Sequence, residues 1–239
     1  MNVNRRRARA IFRKELREYR RNRSLVVGMA IIPLVFVIQP LVSVLETSGS
    51  AQLGQRHELL YMLGIPALVP ATLAAYAVVG ERQQGTLEPV LSTPIRRDEL
   101  LLAKALAVLI PSIAIAYVVY GVFLAGVELF ARPGVAAELI RGPDVLVQVL
   151  FTPLIAAWSI WIGIAISTRA SDIRVAQQLG ALASLPSIAV TTLIALNVIH
   201  ATVGLAVALG ALLLVANRVG WRIVSALFDR ERLVTGTRS

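Results

Sequence analysis

Two histidines, His57 and His200, and no cysteine are thin means for catalysis. A Ser–His nucleophile needs hydroxyl and imidazole within hydrogen-bond reach. His200, at the end of the fifth apolar span, could approach a serine such as Ser112, but nothing marks one out, and a histidine in an interfacial turn is the simpler reading. The chain has no HExxH, no paired His/Cys cluster for zinc and no GxxxxGK[ST] loop for nucleotide phosphates. Without cysteine there is no disulfide framework and no thiolate site. One stretch is dense in charge, GERQQGTLEPVLSTPIRRDELLLAK, residues 80–104. It holds Glu81, Arg82, Glu88, Arg96, Arg97, Asp98, Glu99 and Lys104, punctuated by Gly85, Pro89 and Pro94. Mixed charge among recurring leucines suits recognition of a partner better than bond breaking.

The local pattern of that stretch is readable. Thr86 can cap a short helix, with Glu88 near its positive end and Pro89 in its first turn. Leu87, Val90 and Leu91 then share one face. Thr93 and Pro94 stop the helix, and another opens near Arg96. A short helix with an apolar face must dock on a membrane surface, on another protein or back on its own chain.

The elements that hold this loop are apolar. Of 239 residues, 56% are hydrophobic and only 16% charged, with mean hydropathy +0.72. A soluble domain could not bury that much apolar surface. Uncharged runs at 25–45, 59–80, 105–127, 145–168 and 175–217 reach or exceed bilayer length, about 20 residues per helical crossing. The last run is too long for one crossing, and Asn197, His200 and Thr202 offer a polar turn near its middle. We therefore expect an all-α integral membrane protein with six spans, about 25–45, 59–80, 100–127, 145–168, 175–197 and 200–217. The loop 81–99 and the tail 218–239 complete a single domain.

Charge placement sets the expected topology. Of the 24 Lys and Arg, 21 fall in residues 1–24, the 81–104 segment, Arg169, Arg174 and the tail. The positive-inside rule then puts both termini and the loop in the cytoplasm. It also accounts for the net charge of +10 without nucleic acid. Residues 7–23 pattern as an interfacial amphipathic helix, with Ala8, Phe12, Leu16 and Tyr19 recurring among arginines. The other reading is a solvated charge run that fixes topology. The spans themselves read as free of fixed charge at mid-membrane, so no proton relay or ion site is expected there. Their Ser, Thr, Gln and Tyr residues suit interhelical hydrogen bonds. This points towards amphipathic or hydrophobic cargo.

The 80–104 string resembles the signature loop of ABC-2 type permeases, the membrane subunits of one class of ATP-driven exporters (type V ABC exporters). The matching positions are Glu81-Arg82, Gly85-Thr86-Leu87-Glu88, Val90-Leu91, Thr93-Pro94, Glu99 and Lys104. Six spans, a basic surface helix before the first and the closing LFDRERL at 227–233 also match. Arg96 and Ala103 depart from the pattern, standing where Ser/Thr and Gly are common. The resemblance implies a permease without cofactor, paired with a cytosolic ATPase that binds ATP and magnesium. It further implies a second permease copy, identical or paralogous, and a prokaryotic plasma membrane. It makes residues 85–93 the element touching the ATPase. A non-transporting scaffold subunit and a lipid-modifying membrane enzyme are the competing readings.

Overall fold

The computed structural model describes residues 5–21, 23–46, 57–83, 85, 97–131 and 135–227. All regular elements among them are helical. Helix α1 (Arg5–Arg21) is followed by α2 (Arg23–Glu46) and a 3-10 turn, Glu58–Leu63, that runs into α3 (Gly64–Gln83). Then come α4 (Arg97–Phe130), the short α5 (Val135–Leu139), α6 (Gly142–Arg169), α7 (Ile173–Ala195) and α8 (Val203–Leu227). Among the described residues, five helices are long and apolar enough to cross a membrane: Leu59–Glu81, Asp98–Phe130, Gly142–Arg169, Ile173–Ala195 and Val203–Leu227. In α2 the corresponding apolar stretch is shorter, Ile31–Val42.

Helix α3 is the axle. Nearly every residue from Leu59 to Glu81 is buried, whereas α8 is exposed along most of its length. Small residues permit this. Gly163 of α6 and Gly180 of α7 both face the Ala71 carbonyl of α3, and a Cβ at Gly163 would sit 2.7 Å from that oxygen. Backbones meet this closely in lipid because dispersion contacts and small side chains, not solvent exclusion, hold helices together there. Ser167 tightens the same contact, its hydroxyl oxygen accepting from the Val78 and Val79 amides at 2.9 and 3.0 Å. Helix α8 is fastened to α6 instead. Asn217 donates to the Leu154 carbonyl at 3.0 Å and accepts from Trp161 Nε1 at 3.1 Å. Trp161 and Trp221 stack edge to face beside it.

Helix ends differ from the expected spans where sequence lacks a strong stop. Helix α4 runs 34 residues, about 50 Å at 1.5 Å per residue and well beyond a hydrocarbon core of about 30 Å. Helix α8 starts at Val203, where Thr202 Oγ1 accepts from the Leu205 amide at 3.1 Å. It continues ten residues past the expected end at 217, taking in Arg218 and Arg222. Basic side chains do not break a helix, so only hydropathy had marked that boundary. The long uncharged run divides at Asn197, which takes a left-handed φ of 59° after α7 ends. Asn is one of the few side chains that adopt this conformation readily.

Candidate functional site

The 84–96 loop is rooted in two helices, and at its root lies a cluster of buried charge. Glu81 is on the last turn of α3, three residues before the loop. Lys104 is on the second turn of α4 after it. Lys104 has no exposed surface, yet its ammonium makes three contacts. It lies 2.9 Å from Glu81 Oε2 and 3.0 Å from Glu15 Oε1, and donates to the Ala77 carbonyl at 2.8 Å. A buried ammonium is tolerated only when paired and hydrogen-bonded, and here it has two hydrogen bonds, to Glu15 and the Ala77 carbonyl, and an ion pair with Glu81. The α1 helix supplies the rest. Lys14 lies 3.0 Å from Glu81 Oε1 and 3.2 Å from Glu18. The cluster thus ties three elements together, α1, the end of α3 and the start of α4.

The electrostatics follow from burial. For Glu15, burial dominates and raises its carboxyl above the usual range, although the Lys104 ammonium pulls the other way. Burial opposes charge on Lys14, but the Glu81 carboxylate outweighs it, and the ammonium is held above the usual lysine range. Tyr19, buried one turn from Glu15, has its hydroxyl pushed well up by desolvation and then by that carboxylate. Oxygens of Glu15, Glu18 and Glu81 lie within 4.8 Å of one another, a spacing that could hold a metal ion. Lys14 and Lys104 already stand among them and supply the positive charge such an ion would bring.

Each expected site residue can now be located. Glu81, expected on a docking surface, is instead 4% exposed and turned inward. The reason is Lys104, whose fully buried ammonium it pairs with alongside Glu15. Tyr19, expected at the lipid interface, is buried against the protein core at 4% exposure, while Phe12 and Leu16 are half-buried. Ion pairing draws Glu15 inward, so α1 presents the Ile11, Glu15 and Tyr19 face to its neighbours. Gly85 is exposed with a left-handed φ of 68°, the turn that ends the run from α3. Thr86, Leu87, Glu88, Val90, Leu91, Thr93 and Pro94 lie outside the described residues, as does the side chain of Arg82. The α6–α7 connection sits beside this end, with Gln83 donating to the Ser171 carbonyl at 3.4 Å.

Lys14 and Glu15 were missed from sequence, though a signal existed. Glu15 is spaced four residues from Ile11 and from Tyr19, which puts a carboxylate on an apolar stripe. Lys104 likewise interrupts the stripe of Leu101, Ala105 and Val108. A charge inside a buried face asks for a partner of opposite sign.

The opposite end carries a smaller pair. His57 Nδ1 lies 2.8 Å from Asp144 Oδ1, and Asp144 is buried. The His57 amide also donates to the Ala195 carbonyl at 3.0 Å, so this one residue links the start of the 3-10 turn to α6 and α7. Between α6, α7 and α8 lies a cavity of about 460 Å³ with an almost wholly apolar lining, including Leu60, Phe151 and Leu209. Thr191 lines it, but its hydroxyl already donates to the Ser187 and Ile188 carbonyls. The cavity is chemically suited to a hydrocarbon moiety and offers little to a charged one.

Fold and site together define a multi-pass helical membrane protein with a charged loop rooted in a buried ion-pair cluster. The chain matches the ABC-2 family transporter protein family over residues 9–208, most of its length, and it belongs to that family. It is therefore the membrane, permease-type component of an ABC transporter. Comparison with curated proteins finds no match.

Proposed function

We propose that this chain is the permease subunit of an ATP-driven exporter, and that the 84–96 loop is where a separate cytosolic ATPase grips it. The observation that carries the reading is the ion-pair cluster. Glu81 and Lys104 flank the loop and meet at 2.9 Å, which closes its base. Lys104 and Lys14 then join that base to α1 through Glu15 and Glu81. A push on the loop acts on a braced unit of three helix ends instead of a slack connector. In the proposal, α1 lies along the cytoplasmic surface of a prokaryotic plasma membrane. Residues 23–46 supply the sixth span, and two permease copies frame the path. ATP and magnesium stay on the partner, and the apolar cavity favours amphipathic or hydrophobic cargo.

The test is co-purification of the ATPase together with transport for Leu87→Asp and Glu88→Lys. Leucine at the centre of a docking contact should be buried by the partner, with charges around it setting register. Leu87→Asp is expected to abolish export while the helices remain folded, and Glu88→Lys to weaken association most at low salt. Normal association and export in both variants would refute the coupling role. Single cysteines at Ser50, Ala137 and Thr235 test orientation. Labelling from outside is expected at the first two positions only, and labelling at Thr235 would overturn the topology.

A further inference from the structure

We propose that Asp144, Gln148 and Tyr120 form a binding site for a small monovalent cation at the end opposite the loop. The sequence reading expected no fixed charge within the spans. The structure changes this because α6 begins at Gly142 and carries Asp144 inside its first turn, 4% exposed. Gln148 follows one turn along the same buried face and is wholly buried. Its Nε2 reaches Thr152 Oγ1 at 3.5 Å, but its Oε1 has no partner. Across the interface, α4 is set in register by Tyr117, which donates to the Val149 carbonyl at 2.8 Å. Tyr120 lies one turn further along α4 and is 4% exposed, and the Tyr117–Val149 contact between these antiparallel helices sets it level with the first turns of α6. That hydroxyl also lacks a partner.

Buried polar atoms in proteins are nearly always satisfied, so two partnerless oxygens beside a buried carboxylate point to a ligand. The ligand's chemistry follows from the donors. Carboxylate, amide carbonyl and phenol are all hard oxygen donors, which select hard cations. One carboxylate supplies one negative charge. That suits a monovalent ion, whereas calcium sites gather several carboxylates. His57 stands behind the carboxylate at 2.8 Å and orients it, as outer-shell partners do in metal sites. Among the described residues, Arg141, half-buried at the N-cap, is the arginine at this helix start. The site does not depend on the ATPase-coupled reading.

The experiment is thermal unfolding of the full chain in detergent, followed by tryptophan fluorescence. LiCl, NaCl and KCl are each titrated against N-methyl-D-glucamine chloride at constant ionic strength and pH. We expect a saturable rise in Tm with at least one alkali ion and none with MgCl2. Gln148→Leu keeps the charge and should weaken the apparent affinity at least tenfold, and Tyr120→Phe should weaken it less. Asp144→Asn should remove the rise. A wild-type curve that is flat in every salt would overturn the proposal, meaning that His57, Arg141 or ordered water satisfies the pocket. An unchanged affinity in Gln148→Leu would overturn it as well, even if Asp144→Asn fails to fold.

Discussion

The two ends of the helix bundle hold buried charge in different ways. At the loop end, Lys14, Glu15, Glu18, Glu81 and Lys104 form a network from three elements, and Lys104 alone contacts two carboxylates and a carbonyl. At the opposite end, among the described residues, one side-chain ion pair, His57 to Asp144, joins the 3-10 turn to α6. A network in which Lys14, Glu15, Glu81 and Lys104 each have more than one partner is stiff, because moving any of them breaks several contacts at once. A pair held by one contact has more room to rearrange or to accept a ligand. The difference is what the proposed roles need, rigid transmission at the loop end and adjustable binding at the other.

Four substitutions probe that difference, in falling order of effect. Lys104→Met strips the counter-charge from Glu15 and Glu81 at once. Removing one partner of a buried pair costs about 3–5 kcal/mol, so a large drop in thermal stability is expected. Adding Glu15→Gln and Glu81→Gln should recover part of it, and a stable single variant would mean the network is not a brace. Phe12→Asp comes next, because the ring is half-buried against the core and full burial of such a side chain is worth about 1.5–3 kcal/mol. Loss of α1 protection in limited proteolysis is the readout, and unchanged protection would leave α1 as a solvated charge run. His57→Leu follows, because it leaves one buried acceptor oxygen of Asp144 unpaired, a cost of about 1–3 kcal/mol. A loss as large as that of Lys104→Met would erase the contrast between the ends.

The smallest effect is at Asp172. Its carboxylate accepts from the Arg174 and Val175 amides at 2.7 and 3.3 Å and caps α7. Those two hydrogen bonds hold its pKa below the ordinary 3.8. A depressed carboxyl pKa stabilises the fold above its unfolded value and ceases to do so as pH falls through the folded value. Asp172→Asn should therefore melt slightly lower than wild type at neutral pH, with the gap closing below 3.8. A gap that stays constant with pH would assign the effect to shape instead of charge.

Much of this architecture was legible in the sequence, and its limits are instructive. Long apolar runs mark helices in lipid because every backbone group there must be satisfied within the segment. The polar turn at Asn197 and the string from Glu81 to Lys104 stood out as breaks in those runs. The partners of charge did not. Glu15 and Lys104 are 89 residues apart, and His57 and Asp144 are 87 apart. Amphipathic patterning assigns a residue to a face but does not name what the face meets. Reading Glu81 as a surface residue was natural for a charge beside a loop, and only the position of Lys104 turns it inward. Asp144 was hidden differently, because hydropathy placed the span's start one residue after it.

The proposed coupling requires α1 and the loop base to move together when a partner ATPase acts. The chain has no cysteine, so spin labels can be placed singly or in pairs without removing native thiols. Arg13 on α1, Gln83 at the loop base and Val203 at the far end of α8 are all exposed. Pulsed electron spin resonance on the ATPase complex, with and without ATP, would give the Arg13–Gln83 and Gln83–Val203 distances. The account predicts an unchanged Arg13–Gln83 distance while Gln83–Val203 shifts. A change in Arg13–Gln83 on ATP binding would show that α1 is not braced to the loop and would contradict it.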